Sequence, residues 1–462
     1  YEARSFIDFL LIGGTDFEDN IIDKLKLKFK KKVVKICNSN QSRNIKFYNN
    51  TLEEMKKGTP LIYQGVLYNF KHKIFGSVDL LVRSDYINKI VSTKILSDEE
   101  INIKAPLLDK YHYRVVDIKC SSIHFNTDGE TIRNNNNIKP FKTQIAIYNL
   151  SLGEMQGYLP DDSYILGNGW ILNKTINKVM HEEMNDDPLN KLGKINYNNK
   201  DKHYYDTALE AVDWIKELNN NNNFNHDPPN DIRIYPNMSN SYDGMYHKLK
   251  KDIANKYGEI TDIWNCTIKN REIALKNNIK SWRDPRCNLK TLGIKEGKNG
   301  KMIKNILSFN QNNSKLINIK KINNNTNNWR SNNLTFYVDF ETIGSVLMKS
   351  NKKNKINRDY IFMIGVGWTI PNNDTWNYEC FYVENISDNE EFRILNLFNN
   401  KINNLEKMYN IKANIIHWSA AEDIIYRKIN YYYNNQLKNI NWFDLFKFFK
   451  NNNILILGCL NF

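Results

Sequence analysis

Long apolar runs are missing from this chain. No stretch approaches the roughly 18 uninterrupted apolar residues that a membrane-spanning helix requires, which excludes a span of that kind. Cysteine is scarce: the 6 residues Cys37, Cys120, Cys266, Cys287, Cys380 and Cys459 are scattered without a CxxC pair. That spacing argues against a structural zinc site or an iron–sulfur cluster within the chain. At this size a disulfide framework is not expected either, so the thiols read as reduced and the protein as intracellular, in cytoplasm or nucleus. There is no GxxxxGK[ST] loop, hence no nucleotide-driven motor. Gly365-Val366-Gly367 lacks the third glycine and the following helix of a dinucleotide site. The 8 histidines form no HExxH or other close zinc pattern. The opening Tyr1-Glu2-Ala3-Arg4 has neither the basic nor the apolar region of a signal peptide. With no initial Met and an abrupt end at Phe462, the chain is expected to be a fragment.

What is present is positive charge. Lys and Arg number 65 against 51 Asp and Glu, a net charge of +14, with a pI near 9.1. Such a balance permits a polyanionic partner, nucleic acid above all. The 462 residues exceed what one hydrophobic core usually organises, so two or three domains are expected. Asn-rich tracts at 134–137, 219–223, 323–328 and 451–453 read as solvated loops that punctuate the chain.

Between these tracts the apolar spacing changes period. Phe17, Ile21, Ile22, Leu25 and Phe29 recur at helical spacing after a Gly13-Gly14-Thr15 start. The lysines between residues 24 and 35 are either a solvated helix face or a phosphate contact. Residues 61–69, 74–83 and 113–119 read as strands, 141–152 as a helix and 164–172 as a further strand. The order α-β-β-β-α-β describes a mixed sheet flanked by helices. Residues 204–310 are mostly helical in pattern. From residue 334, strands at 335–340, 362–369, 376–383 and 413–418 alternate with helices at 390–399 and 421–432, a second α/β region. Asp161-Asp162 and Asp186-Asp187-Pro188 read as turns.

Two strings place carboxylates inside apolar strands, where an acid is unfavourable unless it pairs, titrates or binds metal. In Tyr113-Arg-Val-Val-Asp117-Ile118-Lys119, period-two alternation sets Asp117 and Lys119 on one face and Val116 and Ile118 on the other. In Phe75-Gly-Ser-Val-Asp79-Leu-Leu-Val-Arg83 a second acid lies amid apolar neighbours. Two carboxylates meeting at a strand end can hold Mg²⁺, a hard ion that takes oxygen ligands and retains waters. A lysine beside them can orient or deprotonate an attacking water and stabilise developing negative charge.

Glu18, Asp79, Asp117-Ile118-Lys119 and Gln144-Ile-Ala-Ile-Tyr148, in that order, resemble the RecB-like branch of the PD-(D/E)xK nucleases. That family has a helix glutamate, a strand aspartate, a D/E-x-K strand and a following helix carrying Q-xxx-Y. The resemblance covers roughly residues 1–172. It implies a restriction-endonuclease-like mixed sheet and hydrolysis of phosphodiester bonds with Mg²⁺ or Mn²⁺. Asp79, Asp117 and the Ile118 carbonyl would hold the metal with help from Glu18, and Lys119 would position or activate water. Gln144 and Tyr148, four apart on one helix face, would position substrate or Lys119. The long polar insertion between Asp79 and Asp117, residues 84–110, departs from the pattern and could reshape substrate access.

Phe336-Tyr-Val-Asp339-Phe-Glu341-Thr342 again sets two acids on one strand face. It resembles the first motif of the DEDD, ribonuclease H-like exonucleases. Ile415-Ile-His417 running into Glu422-Asp423 resembles their second motif, and Trp442-Phe443-Asp444-Leu445 a third. The second motif offers Glu422 or Asp423 rather than a settled aspartate. No obvious last acid follows, so this domain is expected to be truncated or degenerate, with the last ligand outside the chain. A RecB-like nuclease joined to a ribonuclease H-like domain is an arrangement known among predicted RecB-family nucleases, and residues 235–285 resemble its helical middle segment. That segment is either a spacer or a helix–hairpin–helix-like contact to the DNA backbone.

The expectation is therefore a multidomain α/β protein: a nuclease domain over 1–175, a helical middle over 200–315 and an incomplete ribonuclease H-like domain over 330–462. DNA is favoured over RNA as substrate, no membrane partner is expected, and no helicase or repair partner can be named. Two alternatives remain open. One is a 3′–5′ exonuclease built on Asp339, Glu341, Glu422 and Asp444. The other is a nucleic-acid-binding scaffold whose sites have decayed.

Overall fold

The computed structural model describes residues 6–135, 138–176, 179–220, 224, 231–241, 243–312, 317–318, 334–344, 359–371, 373–452 and 454–460. The Asn tract 323–328 lies outside them, as do Asn136–Asn137, 221–223 and Asn453. The protein is α/β and divides into two compact units, Tyr1–Asn222 and Asn223–Gly344 with Asp359–Phe462.

The first unit opens with helix α1 (Phe6–Phe29). Ile21, Ile22 and Leu25 lie on one face of it and are fully buried. The helix begins before the glycines expected to open it and runs through Gly13 and Gly14. Each glycine disfavours helix by about 1 kcal/mol relative to alanine. Extension of an existing helix adds one hydrogen bond per residue, and that outweighs the loss here. Part of the lysine-rich stretch is not helical. Lys30–Lys32 form a 3₁₀ turn, and β1 (Val33–Lys35) pairs parallel with β2 (Leu61–Asn69). Between them stands α2 (Ile45–Lys57). An antiparallel hairpin joins β2 to β3 (Ile74–Arg83).

Residues 84–110 are not simply polar. They hold α3 (Ser84–Ile90) and α4 (Asp98–Ile101), and bury Ile87, Ile90 and Leu96 in the same cluster as α1. β4 (Tyr113–Phe125) is antiparallel to β3 and parallel to β5 (Asp162–Ile176), with α5 (Lys139–Gln156) crossing between them. β6 (Val179–Asn185) and β7 (Gly193–Asn196) both pair with β5, completing a 7-stranded mixed sheet. α6 (His203–Asn220) packs beside α5. One core lies between the sheet and α1, around Ile21, Leu80, Val82, Val116 and Tyr164. The other lies on the α5 side, around Leu81, Val115, Ile145, Leu152 and Ile165.

Buried ions tie this unit together. Asp162 begins β5 rather than a turn, and it accepts from the Arg114 guanidinium and pairs with Lys194 at 3.2 Å. Arg114 Nε also donates to His112 Nε2 at 2.9 Å, while His112 Nδ1 lies 2.8 Å from the Ile103 carbonyl. This pattern fixes a neutral imidazole, with Nδ1–H donating and the Nε2 lone pair accepting. A second proton would set N–H against N–H. Burial and the Arg114 charge accordingly push the His112 pKa down to about 4. Between that value and about 6.5 the unfolded chain binds the extra proton and the folded one does not, so stability rises with pH across the window. Acidification from pH 6.5 to 4 is expected to remove up to about 3 kcal/mol. Denaturant titrations at several pH values should show a flatter profile in His112→Gln, and an unchanged slope would exclude His112 as the source.

In the second unit, α7 (His247–Tyr257), α8 (Ile268–Lys276) and α9 (Lys298–Asn312) are short helices separated by turns. Arg271 of α8 is buried, donating to the carbonyls of Tyr235 and Pro236 and pairing with Glu259 at 3.3 Å. A two-residue strand β8 (Ile317–Asn318) comes next. Then β9 (Thr335–Ile343), β10 (Tyr360–Ile370) and β11 (Asn373–Tyr382) form an antiparallel run. α10 (Asp388–Tyr409) leads to β12 (Asn414–His417), and α11 (Ala421–Tyr432) to β13 (Trp442–Asp444). β12 lies parallel to both β9 and β13, giving the sheet order β11-β10-β9-β12-β13. α12 (Leu445–Asn451) precedes β14 (Leu455–Ile456), which pairs with β8. Phe336, Val338, Ile364 and Val366 pack on Ile394, Leu395 and Phe398 of α10.

Candidate metal centre at a strand fork

The β3–β4 ladder runs from Arg83 opposite Tyr113 to Leu80 opposite Val116 and stops there. The next pair in the same register would be Asp79 and Asp117. Instead of a backbone rung, the Ile118 N–H donates to Asp79 Oδ2 at 2.7 Å. The strands fork at the two acids.

On the other side of β3 the alternation also breaks. Ile62 and Leu67 of β2 share one core although their positions differ by an odd number, and so do Val78 and Leu81 of β3. Strict pleating forbids this, so each strand shifts phase once, around Gln64 and Asp79. Gln64 has φ of 54° and is absent from an otherwise unbroken pairing, directly opposite Asp79. A left-handed backbone at a non-glycine residue costs of order 1–3 kcal/mol, and such positions cluster at functional sites. Here it aims the amide: Gln64 Nε2 donates to Glu18 Oε1 at 2.6 Å, and Gln64 Oε1 accepts from Ser77 Oγ at 2.8 Å.

Asp117 is 1% exposed. Lys119 Nζ sits 2.7 Å from its Oδ2, yet no hydrogen bond of acceptable geometry reaches that oxygen. Burial pushes the Asp117 pKa up, against the pull of Lys119. Asp79 is raised well above the carboxylate range by burial, then by Asp117 and Glu18. Burial opposes the charge of Lys119, but Asp117, Asp79 and Glu18 outweigh it and hold the ammonium above its ordinary pKa. The lysine is therefore a cation, with its Nζ 5.1 Å from the centre of the Phe141 ring on α5.

Gln144 and Tyr148 do lie together on α5, with Gln144 Nε2 donating to the Tyr148 hydroxyl at 2.9 Å. Burial, then the charges of Asp117 and Asp79, raise the Tyr148 pKa to about 12 despite that bond, so the phenol stays protonated. A Cβ at Gly76 would come within 2.6 Å of Tyr148 Cε1; the glycine lets the ring approach β3.

Two crowded carboxylates, one with an unsatisfied buried oxygen, suit a divalent cation. Mg²⁺ is commonly bound through one or two carboxylates with waters completing its shell. Among the described residues no three His, Cys, Asp or Glu side chains converge closely enough to hold an ion unaided. Asp79 and Asp117 are the first donors and the Ile118 carbonyl adjoins them in sequence, while Glu18 is engaged by Gln64.

No protein-family model matches the chain, and no curated protein matches it.

Sequence reading missed Gln64, Ser77 and Tyr63. Tyr63 is buried beside Glu18, and burial followed by the Glu18 charge raises its hydroxyl pKa. The available signal was a lone amide inside the apolar run Leu61-Ile-Tyr-Gln64-Gly-Val-Leu. Gln64→Ala frees Glu18 and is expected to change the divalent-cation concentration for half-maximal activity several-fold while leaving the fold cooperative. Identical metal titrations for variant and wild type would remove Gln64 from the site.

In the second unit Asp339 and Glu341 are exposed together on the face of β9 opposite the core, beside Tyr337. Gly365 and Gly367 of β10 lie opposite Asp339 and Tyr337, and the Trp376 ring covers Gly367. Glu422 is placed differently. It is buried at the start of α11, with His417 Nδ1 3.1 Å from its Oε2. Asp444 lies opposite His417 in the β12–β13 register and accepts from the Lys447 N–H at 2.8 Å, capping α12. Asp423, the other acid offered at this position, pairs with Arg427 at 2.6 Å. No hydrogen bond or ion pair among the described residues joins Asp339 or Glu341 to Glu422 or Asp444.

Proposed function

We propose that the first unit is a metal-dependent nuclease that hydrolyses phosphodiester bonds of DNA in the manner of PD-(D/E)xK enzymes. The observation that carries this reading is the fork: Asp79 and Asp117 face each other where the β3–β4 ladder ends, with Lys119 in ion contact. A divalent cation held by Asp79, Asp117 and the Ile118 carbonyl would polarise the phosphate and lower the pKa of a bound water. Lys119 supplies a fixed positive charge on the same face as Asp117, where it orients the attacking water and offsets charge developing on phosphate oxygens. The Tyr148 hydroxyl, accepting from Gln144, keeps its own proton to donate to a phosphate oxygen. Glu18, aimed by Gln64, adds a further carboxylate on the α1 side. The positive net charge draws the phosphate backbone towards acids that would otherwise repel it.

Cleavage of single-stranded, duplex and RNA substrates with Mg²⁺ or Mn²⁺, comparing the native chain with Lys119→Ala and Asp79→Ala, tests the reading. A native chain that cuts no substrate, or variants that cut as well as it does, would overturn it.

The open-face pair Asp339 and Glu341 favours a second reading, a 3′–5′ exonuclease in the second unit. Cleavage abolished by Asp339→Asn and untouched by Lys119→Ala would move the activity there.

A further inference from the structure

We infer that the free end of the β2–β3 hairpin is a base-stacking surface for an unpaired nucleic-acid strand. The inference rests on the nuclease reading only for the placement of that strand relative to Asp79. Its own ground is a group of rings and charges with no part in the site described above.

The hairpin turns through Phe70-Lys71-His72-Lys73. The His72 N–H donates to Asn69 Oδ1 at 2.9 Å, and Lys73 takes φ of 55°. Around this turn the rings of Tyr68 and Phe75 stack at 5.4 Å and 24°. Tyr48 of α2 meets Tyr68 and Phe70 edge-on at 5.6 and 5.5 Å. The Tyr68 hydroxyl, donating to the Arg43 carbonyl at 2.7 Å, fixes its ring. The group is thus ordered, and yet Phe70 is 58% and Phe75 43% exposed. Four rings held against one another, with two of them open to water, form a preorganised apolar platform.

Charge identifies the occupant. Residues 38–52 and 59–78 contain Arg43, Lys46, Lys71 and Lys73 and no Asp or Glu. The acid that reaches the group, Glu154 of α5, acts on Tyr48. An apolar protein partner has no use for unbalanced cations beside the rings. A polyanion with flat apolar faces uses both, through base–aromatic stacking and backbone neutralisation. Bases within a duplex are already stacked on each other, so the strand must be unpaired. Phe75 and Asp79 lie on one strand, about 13 Å apart at the usual rise per residue. A strand stacked on the hairpin end can therefore reach the fork within a few nucleotides.

The full-length protein, with metal chelated, is titrated into a fluorescein-labelled single-stranded oligonucleotide containing 2-aminopurine, into the matching duplex, and into anionic phospholipid vesicles. Phe70→Ala with Phe75→Ala is expected to weaken single-strand binding about 10–100-fold and to abolish the stacking quench of 2-aminopurine. The corresponding leucine pair, which keeps apolar packing without rings, should restore the fold and not the quench. Lys71→Gln with Lys73→Gln should flatten the dependence of log affinity on log salt by about 1.4. Unchanged single-strand binding in a folded Phe70/Phe75 variant overturns the inference, as does loss of vesicle binding alone. A native protein that cuts DNA while the ring variants bind and cut normally sinks the hairpin and spares the nuclease reading. A native protein that stacks 2-aminopurine through these rings but cuts nothing with any metal does the reverse.

Discussion

Lys119→Ala is expected to lower metal-dependent cleavage by about 10²–10⁴-fold, the usual contribution of a positioned acid–base or charge-stabilising group. The size follows from its surroundings. Lys119 Nζ is 2.7 Å from Asp117 Oδ2, in a pocket where Asp79 and Glu18 also act on it. Among the described residues no other cation is in ion contact with Asp117 to orient water or offset the phosphate oxygens once the ammonium is removed. The two carboxylates, both raised in pKa by burial and Asp79 further by the Asp117 charge, should then bind a divalent cation at least as readily. Lys119→Ala is therefore expected to retain metal affinity and lose turnover, whereas Asp79→Ala loses both. Single-turnover cleavage across a Mn²⁺ titration separates the two outcomes. A Lys119→Ala enzyme that turned over normally, or whose defect vanished at high metal, would show that the lysine only balances charge.

The largest stability effect is expected from Asp201→Ala. Lys142 lies on α5 with no exposed surface, and its Nζ donates to Asp201 Oδ1 and the Ile132 carbonyl, both at 2.8 Å. Asp201 Oδ2 in turn accepts from the Asn196 N–H at 3.0 Å. Removing one partner strands the other charge in the core, which costs about 3–5 kcal/mol. Burial already holds the Lys142 pKa below its ordinary value despite Asp201. The unfolded chain thus binds this proton up to a higher pH than the folded one, and stability rises with pH through the window below the normal lysine pKa. In Asp201→Ala that window should widen downward. Urea denaturation at pH 7 and 9 measures both effects, and Lys142→Met with Asp201→Leu should recover much of the loss. A variant within 1 kcal/mol of wild type would mean that water or a neighbouring group replaces Asp201.

Asp79, Asp117 and Lys119 were legible because an acid in an apolar strand is an anomaly a sequence displays on its own. Gln144 and Tyr148 were legible because helical spacing settles which residues share a face. Gln64 was not, because its role depends on a left-handed kink and on the register that sets it opposite Asp79, and neither is local. β6 and β7 escaped for another reason: Val-Met-His-Glu-Glu-Met-Asn and Gly-Lys-Ile-Asn carry no run of alternating apolar residues. Asp162 read as half of a polar turn because its partners, Arg114 and Lys194, are distant in sequence. Glu422 stood out as an acid entering a helix, but its burial against His417 is a tertiary fact. The α1 start was misplaced because glycine propensity was weighed without the burial of Ile21, Ile22 and Leu25 that sustains the helix.

The fork is also a seam. From Arg83–Tyr113 to Leu80–Val116 the two strands are sewn by backbone rungs, which are indifferent to pH and to ligands. At Asp79 a side chain makes the stitch to the Ile118 amide, and that stitch responds to whatever shares the carboxylate. An ion or proton bridging Asp79 and Asp117 would therefore act as a cross-link between two strands of the sheet. The cohesion of the sheet along this line and the occupancy of the site would then rise and fall together.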